Sequence, residues 1–363
     1  MNEMTKIAVQ TTLKDWESDQ EVRWCPGCGD FAILGVVKHV LAGLGMPRER
    51  FVFVSGIGCA GRFPYYLNTY GFHGIHGQAT AIATGLKVAN PELSVWVVVG
   101  DGDALAPGAS HLIHALRRNV DIKVLVVNNE VCGLTKGQSS PTSRHGTRTR
   151  SNPEGSFETP LRPVSLALAA EATFVARSID VEVEHLAHVL QRAAQHRGAA
   201  FVEIYQNCKI FNDGVFDYAT DPTVKADNVC YLEHARPLLF GKDRNQGIRL
   251  NGLEPEVVSL ANGVAMDDLL SHDEKTESST LAFLLSRLSS PEFPDCLGVF
   301  RAIERPIRPR PTRPSVRPAR SRPIHCGVGQ AHPSRSIWRE TGTSFFISAI
   351  IRAKAPSATV SSA

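Results

Sequence analysis

The chain has 363 residues, of which 43% are apolar and 21% charged, a balance typical of a globular protein large enough to bury a substantial core. No apolar run approaches the ~20 residues that span a bilayer, and the N-terminus lacks the apolar segment of a secretory signal, so we expect a cytoplasmic protein without a membrane partner. The net charge of +3 does not indicate nucleic-acid binding, because the excess of Lys and Arg lies beyond residue 304 in a tract rich in Arg and Pro.

The predicted elements alternate between helix and strand. Apolar residues at helical spacing predict helices at 31–44, 78–89, 106–118, 164–172 and 183–196. Continuous apolar runs predict strands at 51–54, 95–99, 122–127 and 201–205, the last of which is the final strand of the pattern. This order predicts an α/β fold in which a parallel sheet carries helices on both faces. Ligands of such sheets lie beyond the carboxyl ends of the strands.

The pattern weakens after Asp217. Residues 218–304 contain helix-like stretches at 256–261 and 279–289 within much loop, and we expect an irregular extension that packs on the core or on a partner. Residues 305–363 are rich in Arg and Pro and are expected to be extended or disordered. Domain boundaries are therefore predicted at 217/218 and 304/305.

Polar residues follow two of the predicted strands. Gly100-Asp101-Gly102-Asp103 ends one strand and Asn128-Asn129 ends the next. Carboxylate and amide oxygens are suitable ligands for Mg²⁺, and the flanking glycines would allow backbone amides to approach a diphosphate. A plain Gly-Asp-Gly turn is the alternative, and the position of Asn129 argues against it.

Four of the eight cysteines are placed as ligands would be. Cys25 and Cys28 form a CxxC, Cys59 ends a Gly-Ile-Gly-Cys turn, and Cys208 follows a predicted strand. In a chain of cytosolic character this favours metal or redox use over disulfides. Four thiolates hold either a [4Fe–4S] cluster or zinc, and the spacing alone leaves both open.

Several motifs in order resemble one family. The Gly-Asp-Gly…Asn pattern is similar to the diphosphate-binding motif of thiamine-diphosphate enzymes. Together with Trp24–Gly29, Gly56–Cys59, His73–Gly77 and Asn128–Gln138, it resembles the β subunit of 2-oxoacid:ferredoxin oxidoreductases over roughly residues 20–300. Beyond Pro306 the resemblance ends, as a changed reading frame or genuine divergence would produce.

The resemblance implies a thiamine-diphosphate-binding fold in residues 1–217. Mg²⁺ would be held by Asp101, Asn129 and the Val131 carbonyl. The four cysteines would hold a [4Fe–4S] cluster, and next to a thiamine site zinc becomes the weaker alternative for them. Each histidine, taken singly, could instead be a packing residue. The other residues expected along the cofactor are Gly58, His73, Gly74, His76, Gly77, Gly100, Gly102, Asp103, Gly133, Leu134 and Thr135.

Two basic residues are catalytic candidates. Arg62 follows Cys59 by three residues, where relatives carry a basic residue facing the substrate, and Lys136 lies in the Leu-Thr-Lys-Gly-Gln loop. Either cation could bind a substrate carboxylate, and either could be an ordinary surface residue. The basic loop 144–150 would suit an anionic substrate, coenzyme A or solvent.

The implied reaction is oxidative decarboxylation of a 2-oxoacid to acyl-CoA and CO₂, with electrons passed through the cluster to ferredoxin, reversible in principle. The activating glutamate and most of the coenzyme A site are expected on a partner α (or fused α/γ) subunit, in an α₂β₂ assembly. Gly61–Pro64 and the long extension resemble members acting on 2-oxoglutarate. The alternatives are a pyruvate or other 2-oxoacid enzyme, a non-oxidative thiamine enzyme, and a zinc-stabilised binding protein.

Overall fold

The structure of the protein is a computed structural model that describes residues 11–307. These residues form ten α-helices: α1 (Asp30–Gly43), α2 (Phe63–Tyr66), α3 (Ala79–Ala89), α4 (Asp101–Leu105), α5 (Ala109–Arg117), α6 (Pro163–Ala169), α7 (Val183–Gln195), α8 (Asp217–Thr220), α9 (Lys225–Asn228) and α10 (Thr280–Arg287). They also form fifteen strands: β1 (Phe51–Ser55), β2 (Tyr70–His73), β3 (Ser94–Gly100), β4 (Lys123–Asn128), β5 (Val131–Cys132), β6 (Gln138–Ser139), β7 (Phe174–Ile179), β8 (Ala200–Tyr205), β9 (Val229–Leu232), β10 (Arg236–Pro237), β11 (Leu239–Phe240), β12 (Gln246–Asn251), β13 (Glu254–Ser259), β14 (Ser271–His272) and β15 (Asp295–Ala302).

Eight strands build the central sheet, in the order β2-β1-β3-β4-β8-β7-β15-β9. Neighbouring strands run parallel, except that β15 is antiparallel to β7. The carboxyl ends of β1, β3, β4 and β8 consequently meet at one edge of the sheet, as the βαβ pattern predicts.

Helices cover both faces of the sheet, which confirms the predicted α/β architecture. Val97 of β3 packs in an apolar cluster with residues of α3, α5, α6 and α10. Its neighbour Trp96 points to the other face and packs in a second cluster with residues of α1 and α7. Because successive side chains of a strand point to opposite faces, a strand covered on both sides must be apolar throughout.

The main errors of the sequence-based prediction lie outside the purely apolar strands. The prediction that 201–205 is the final strand is wrong, because β9 and β15, from the segment 218–304, complete the sheet. The predicted helix at 256–261 is wrong, because most of it lies in β13, paired with β12. Strand β7 escaped prediction because it contains Arg177, whose charge is satisfied inside the fold by Glu203 at 2.7 Å.

No helix within residues 11–307 is long and apolar enough to cross a membrane. The predictions for the Arg- and Pro-rich tail concern residues that, from 308 onward, lie outside the described part of the chain.

Candidate active site at the carboxyl ends of the central strands

Asp101 stands where β3 passes into α4. Gly100 is the N-cap of that short helix, and Asp101 is its first residue, buried with 2% of its surface exposed. Thr142 donates a hydrogen bond to Asp101 Oδ2 at 2.5 Å. Burial raises the pKa of Asp101, although hydrogen bonds from Ser140 and Thr142 act in the opposite direction. A bound cation would supply the charge that this desolvated carboxylate needs.

Asn129 directly follows β4, the neighbour of β3, and Val131 begins β5 two residues later. The Val131 N–H donates to Asn129 Oδ1 at 3.2 Å, which folds the loop into a tight turn. Asn129 Nδ2 donates to Gln206 Oε1 at 2.7 Å. The predicted magnesium ligands are thus a buried carboxylate, a carboxamide and a backbone carbonyl on adjacent strand ends. This oxygen donor set is suited to Mg²⁺.

A turn at residues 140–143 ties these two strand ends together. Thr142 Oγ1, which bonds Asp101, lies 3.0 Å from Asn128 Oδ1. Ser143 Oγ donates to the Glu130 carbonyl at 2.6 Å and accepts the Ser140 N–H at 2.8 Å. The turn therefore sets the spacing between Asp101 and the 129–131 loop.

Asp103 organises the histidine segment. Its Oδ1 lies 2.6 Å from His76 Nδ1 and accepts the Gly77 N–H at 2.9 Å. Its Oδ2 is buried without a hydrogen-bond partner, against Gly56, where a Cβ would lie only 1.7 Å away. This arrangement fixes His76 and the backbone of the predicted cofactor loop.

His73 is held from the other side. Its Nδ1 lies 2.8 Å from the Gly61 carbonyl, and because a carbonyl only accepts, Nδ1 is the donor in this hydrogen bond and Nε2 is the nitrogen that can meet a ligand. The next residue, Gly74, donates its N–H to the Ser55 carbonyl at the end of β1, at 2.7 Å. Both histidines are exposed enough to meet a ligand.

The four predicted cluster cysteines converge from three parts of the chain. Burial raises the pKa of the Cys28 thiol, and Cys59 and Cys208 raise it further. Burial likewise raises the pKa of Cys59 to about 11, with contributions from Cys208 and Cys25. The segments that carry these cysteines are in direct contact, since Trp24 Nε1 donates to the Cys59 carbonyl at 2.9 Å and the Gly29 N–H donates to the Asn207 carbonyl at 3.2 Å.

The arrangement differs from a single-ion site. Within residues 11–307, no three Cys, His, Asp or Glu side chains surround one point closely enough to hold a metal ion. A four-iron cluster does not require that, because each cysteine binds a different iron and the sulfurs stay further apart. The cysteines therefore fit a cluster in residue type, number and convergence.

Comparisons with known proteins agree with this geometry. Residues 56–204 match the thiamine pyrophosphate enzyme, C-terminal TPP-binding domain. The 2-oxoglutarate oxidoreductase subunit KorB of Mycobacterium tuberculosis is 53% identical over 309 residues, which cover 85% of this chain and 82% of that protein. The chain is a β subunit of the 2-oxoacid:ferredoxin oxidoreductase family. The resemblance predicted from the motifs is confirmed.

Two further relatives agree. The β subunit of 2-oxoacid:ferredoxin oxidoreductase 1 of Aeropyrum pernix is 46% identical over 190 residues, covering 52% of this chain and 60% of that protein. The solved 2-oxoglutarate:ferredoxin oxidoreductase from Magnetococcus marinus, with 2-oxoglutarate, coenzyme A and succinyl-CoA bound, superposes with a TM-score of 0.67 at 31% identity. That match covers 83% of this chain and 88% of the solved one.

The remaining predicted cofactor residues of this β subunit lie in three different settings. Gly102 and Gly133 lie inside the site: a Cβ on Gly102 would be 2.6 Å from Cys132 Sγ, and one on Gly133 would be 3.3 Å from Cys208 Sγ. Leu134 and Thr135 are exposed in the loop between β5 and β6. Gly58 adopts a left-handed φ of 87° in the turn before Cys59, a conformation that favours glycine.

The two catalytic candidates lie in different surroundings. Arg62 donates to the Arg23 carbonyl at 2.7 Å, and its charge lowers the pKa of Cys59, so it stands beside the cysteines. Lys136 is exposed in the 133–137 loop with a left-handed φ of 71°. In the basic loop, Arg144 is engaged in the fold, since its guanidinium bonds Glu130 at 2.9 Å.

The structure adds functional residues that the sequence reasoning missed. Thr142 and Ser143 form the turn described above, and Gln206 bridges Asn129 to Cys28. Asp30, the first residue of α1, is buried, and burial raises its pKa to about 7 beside the cysteines. In the sequence, these residues were marked only by a short Ser/Thr run, for the turn, and by an amide two residues before Cys208, for Gln206.

Proposed function

We propose that this β subunit binds thiamine diphosphate, Mg²⁺ and one [4Fe–4S] cluster, and oxidises 2-oxoglutarate to succinyl-CoA and CO₂ with ferredoxin as electron acceptor. The observation that carries the proposal is the convergence of two ligand sets at neighbouring positions. Asn129, a predicted magnesium ligand, is linked through one side chain to Cys28, a predicted cluster ligand. A non-oxidative thiamine enzyme has no use for the second set.

The magnesium site would use the strand-end oxygens. Asp101, Asn129 and the Val131 carbonyl would hold the ion, and the turn at 140–143 keeps the two segments in register. Bound thiamine diphosphate supplies the carbanion chemistry and the electron sink for decarboxylation. Asp103 orients His76 and Gly77 against that cofactor, and His73 offers Nε2 to it.

The cluster would be held by Cys25, Cys28, Cys59 and Cys208. Cys25 is exposed, whereas the other three are partly buried, so one corner of the cluster would face the surface where a ferredoxin can approach. Arg62, beside Cys59, adds a positive charge there. A positive charge close to the cysteine sulfurs favours their deprotonated, metal-bound form.

Substrate binding would draw on the partner as well. We propose that Lys136, exposed in the 133–137 loop, pairs with a carboxylate of the substrate. The names of the Mycobacterium tuberculosis and Magnetococcus marinus relatives support 2-oxoglutarate as that substrate. An α subunit would contribute the activating glutamate and most of the coenzyme A site, in a cytoplasmic α₂β₂ assembly.

The test is to co-express the chain with its α partner, purify the complex anaerobically and measure iron, sulfide and thiamine diphosphate. About four irons and one thiamine diphosphate per β chain are expected, because four cysteines hold one cluster. A panel of 2-oxoacids with coenzyme A and ferredoxin should give the fastest reduction with 2-oxoglutarate. Faster turnover of pyruvate would refute the substrate assignment, and zinc without iron would refute the cluster.

A further inference from the structure

Gln206 lies between the two predicted cofactor sites. It directly follows β8, and its N–H donates to the Asn128 carbonyl at 2.9 Å, extending the pairing of β8 with β4. Its side chain is buried, with 1% of the residue exposed. The carboxamide accepts from Asn129 Nδ2 at 2.7 Å through Oε1, and Nε2 donates to Cys28 Sγ at 3.3 Å.

Backbone groups fix the orientation of both amides. The Val131 N–H can only donate, so the atom of Asn129 that faces it is Oδ1, and Nδ2 points to Gln206. The Asn207 carbonyl can only accept, so the atom of Gln206 that faces it at 2.5 Å is Nε2. Each amide is thus oriented independently of the other, and the N–H···S contact to Cys28 follows from hydrogen-bonding chemistry.

We propose that Gln206 is a positioning residue shared by both cofactor sites, holding Asn129 for the magnesium ion and donating a hydrogen bond to the cluster ligand Cys28. The inference rests on the proposed function and deepens it. One buried side chain contacts a member of each ligand set.

The two contacts have separable consequences. A hydrogen bond to a ligating sulfur withdraws electron density from the cluster and so favours its reduced form. Such hydrogen bonds help to set the reduction potential of the cluster. The hydrogen bond from Asn129 Nδ2 to Gln206 keeps the Asn129 Oδ1 atom turned toward Val131 and the proposed magnesium position. Outer partners of this kind are worth about 10–100-fold in metal affinity.

The experiment compares variants in the anaerobic α–β complex. Gln206→Leu removes both contacts. The equilibrium constant for cluster reduction should fall about tenfold, which is about 59 mV for one electron, and the apparent magnesium affinity, measured by thiamine diphosphate binding, should fall about tenfold. Gln206→Glu keeps an oxygen for Asn129, loses the N–H donor and adds negative charge beside Cys28, so the potential should fall while magnesium affinity stays close to that of wild type.

A matched control is Gln246→Leu, which alters a partly buried amide in β12, within the separate sheet β11-β12-β13. It should leave both quantities unchanged. If Gln206→Leu, with full iron content, changes neither quantity or only one, the shared role is overturned. If that variant does not assemble, an unchanged potential in Gln206→Glu overturns it. A wild-type complex without iron or thiamine diphosphate would overturn the proposed function itself.

Discussion

At the scale of single residues, the site depends on a carboxylate that a glycine accommodates. Asp103 holds His76 and Gly77, and its Oδ2 lies where a Cβ of residue 56 would be. Gly56→Ala should therefore displace the buried carboxylate, because this short side chain is tied by two hydrogen bonds and cannot swing aside cheaply. We expect thiamine diphosphate affinity to fall at least about tenfold and the fold to lose about 1–3 kcal/mol, measured by cofactor titration and denaturant unfolding.

Gly35→Ala provides the matched control. Gly35 lies within α1, and a Cβ there meets nothing within 4 Å. Alanine in a helix interior should stabilise the fold by about 0.5–1 kcal/mol and leave cofactor affinity unchanged. If Gly56→Ala behaved like Gly35→Ala, the carboxylate of Asp103 would not be part of the cofactor site.

At the scale of elements, α7 ends in a partly buried histidine, His196, which is its C-cap residue. Burial lowers the pKa of His196 to about 4, with Lys123 lowering it further and Asp121 opposing. Its Nε2 lies 2.8 Å from Thr173 Oγ1, at the start of β7. Because the unfolded chain takes up the proton near pH 6.5, the stabilisation present above that pH should be lost as pH falls from about 6.5 to about 4.

The measurement is the melting temperature of wild type and His196→Gln across that pH range. Glutamine does not titrate. Relative to each protein's own melting temperature at pH 7.5, the variant should therefore lose less stability than wild type as the pH falls. Parallel losses in the two proteins would show that other groups control the acid response.

The burial of whole strands also explains which parts of the fold could be predicted from the sequence. The strands β1, β3, β4 and β8 are predictable because both faces are buried and most of their positions are apolar, although Lys123 of β4 and Glu203 of β8 are buried charges. Their ends carry Asp101 and Asn129, so the site was predictable with them. In β7 and β15 the pattern fails, because Arg177 and Arg301 are buried there and are satisfied only by partners distant in sequence. Gln206 was invisible for the same reason, since its role exists only once Asn129 and Cys28 meet.

At the scale of the whole molecule, the cofactor site joins segments that are far apart in the chain. The residues around it come from the end of β1, the loop after β2, the start of α4 and the loop after β4. A ligand that binds only when these segments are assembled stabilises the folded state by mass action. At one hundred times its Kd, thiamine diphosphate with Mg²⁺ should add about 2.7 kcal/mol to the free energy of unfolding.

The measurement is the melting temperature of the α–β complex with and without thiamine diphosphate and Mg²⁺, in samples of equal iron content. An increase of several degrees is expected for wild type. Asp101→Asn should abolish it, because the amide still accepts from Thr142 but carries no charge to bind the cation. An equal increase in this variant would place the metal elsewhere. The stabilisation thus tests whether the strand-end oxygens, which meet only in the completed sheet, form the magnesium site.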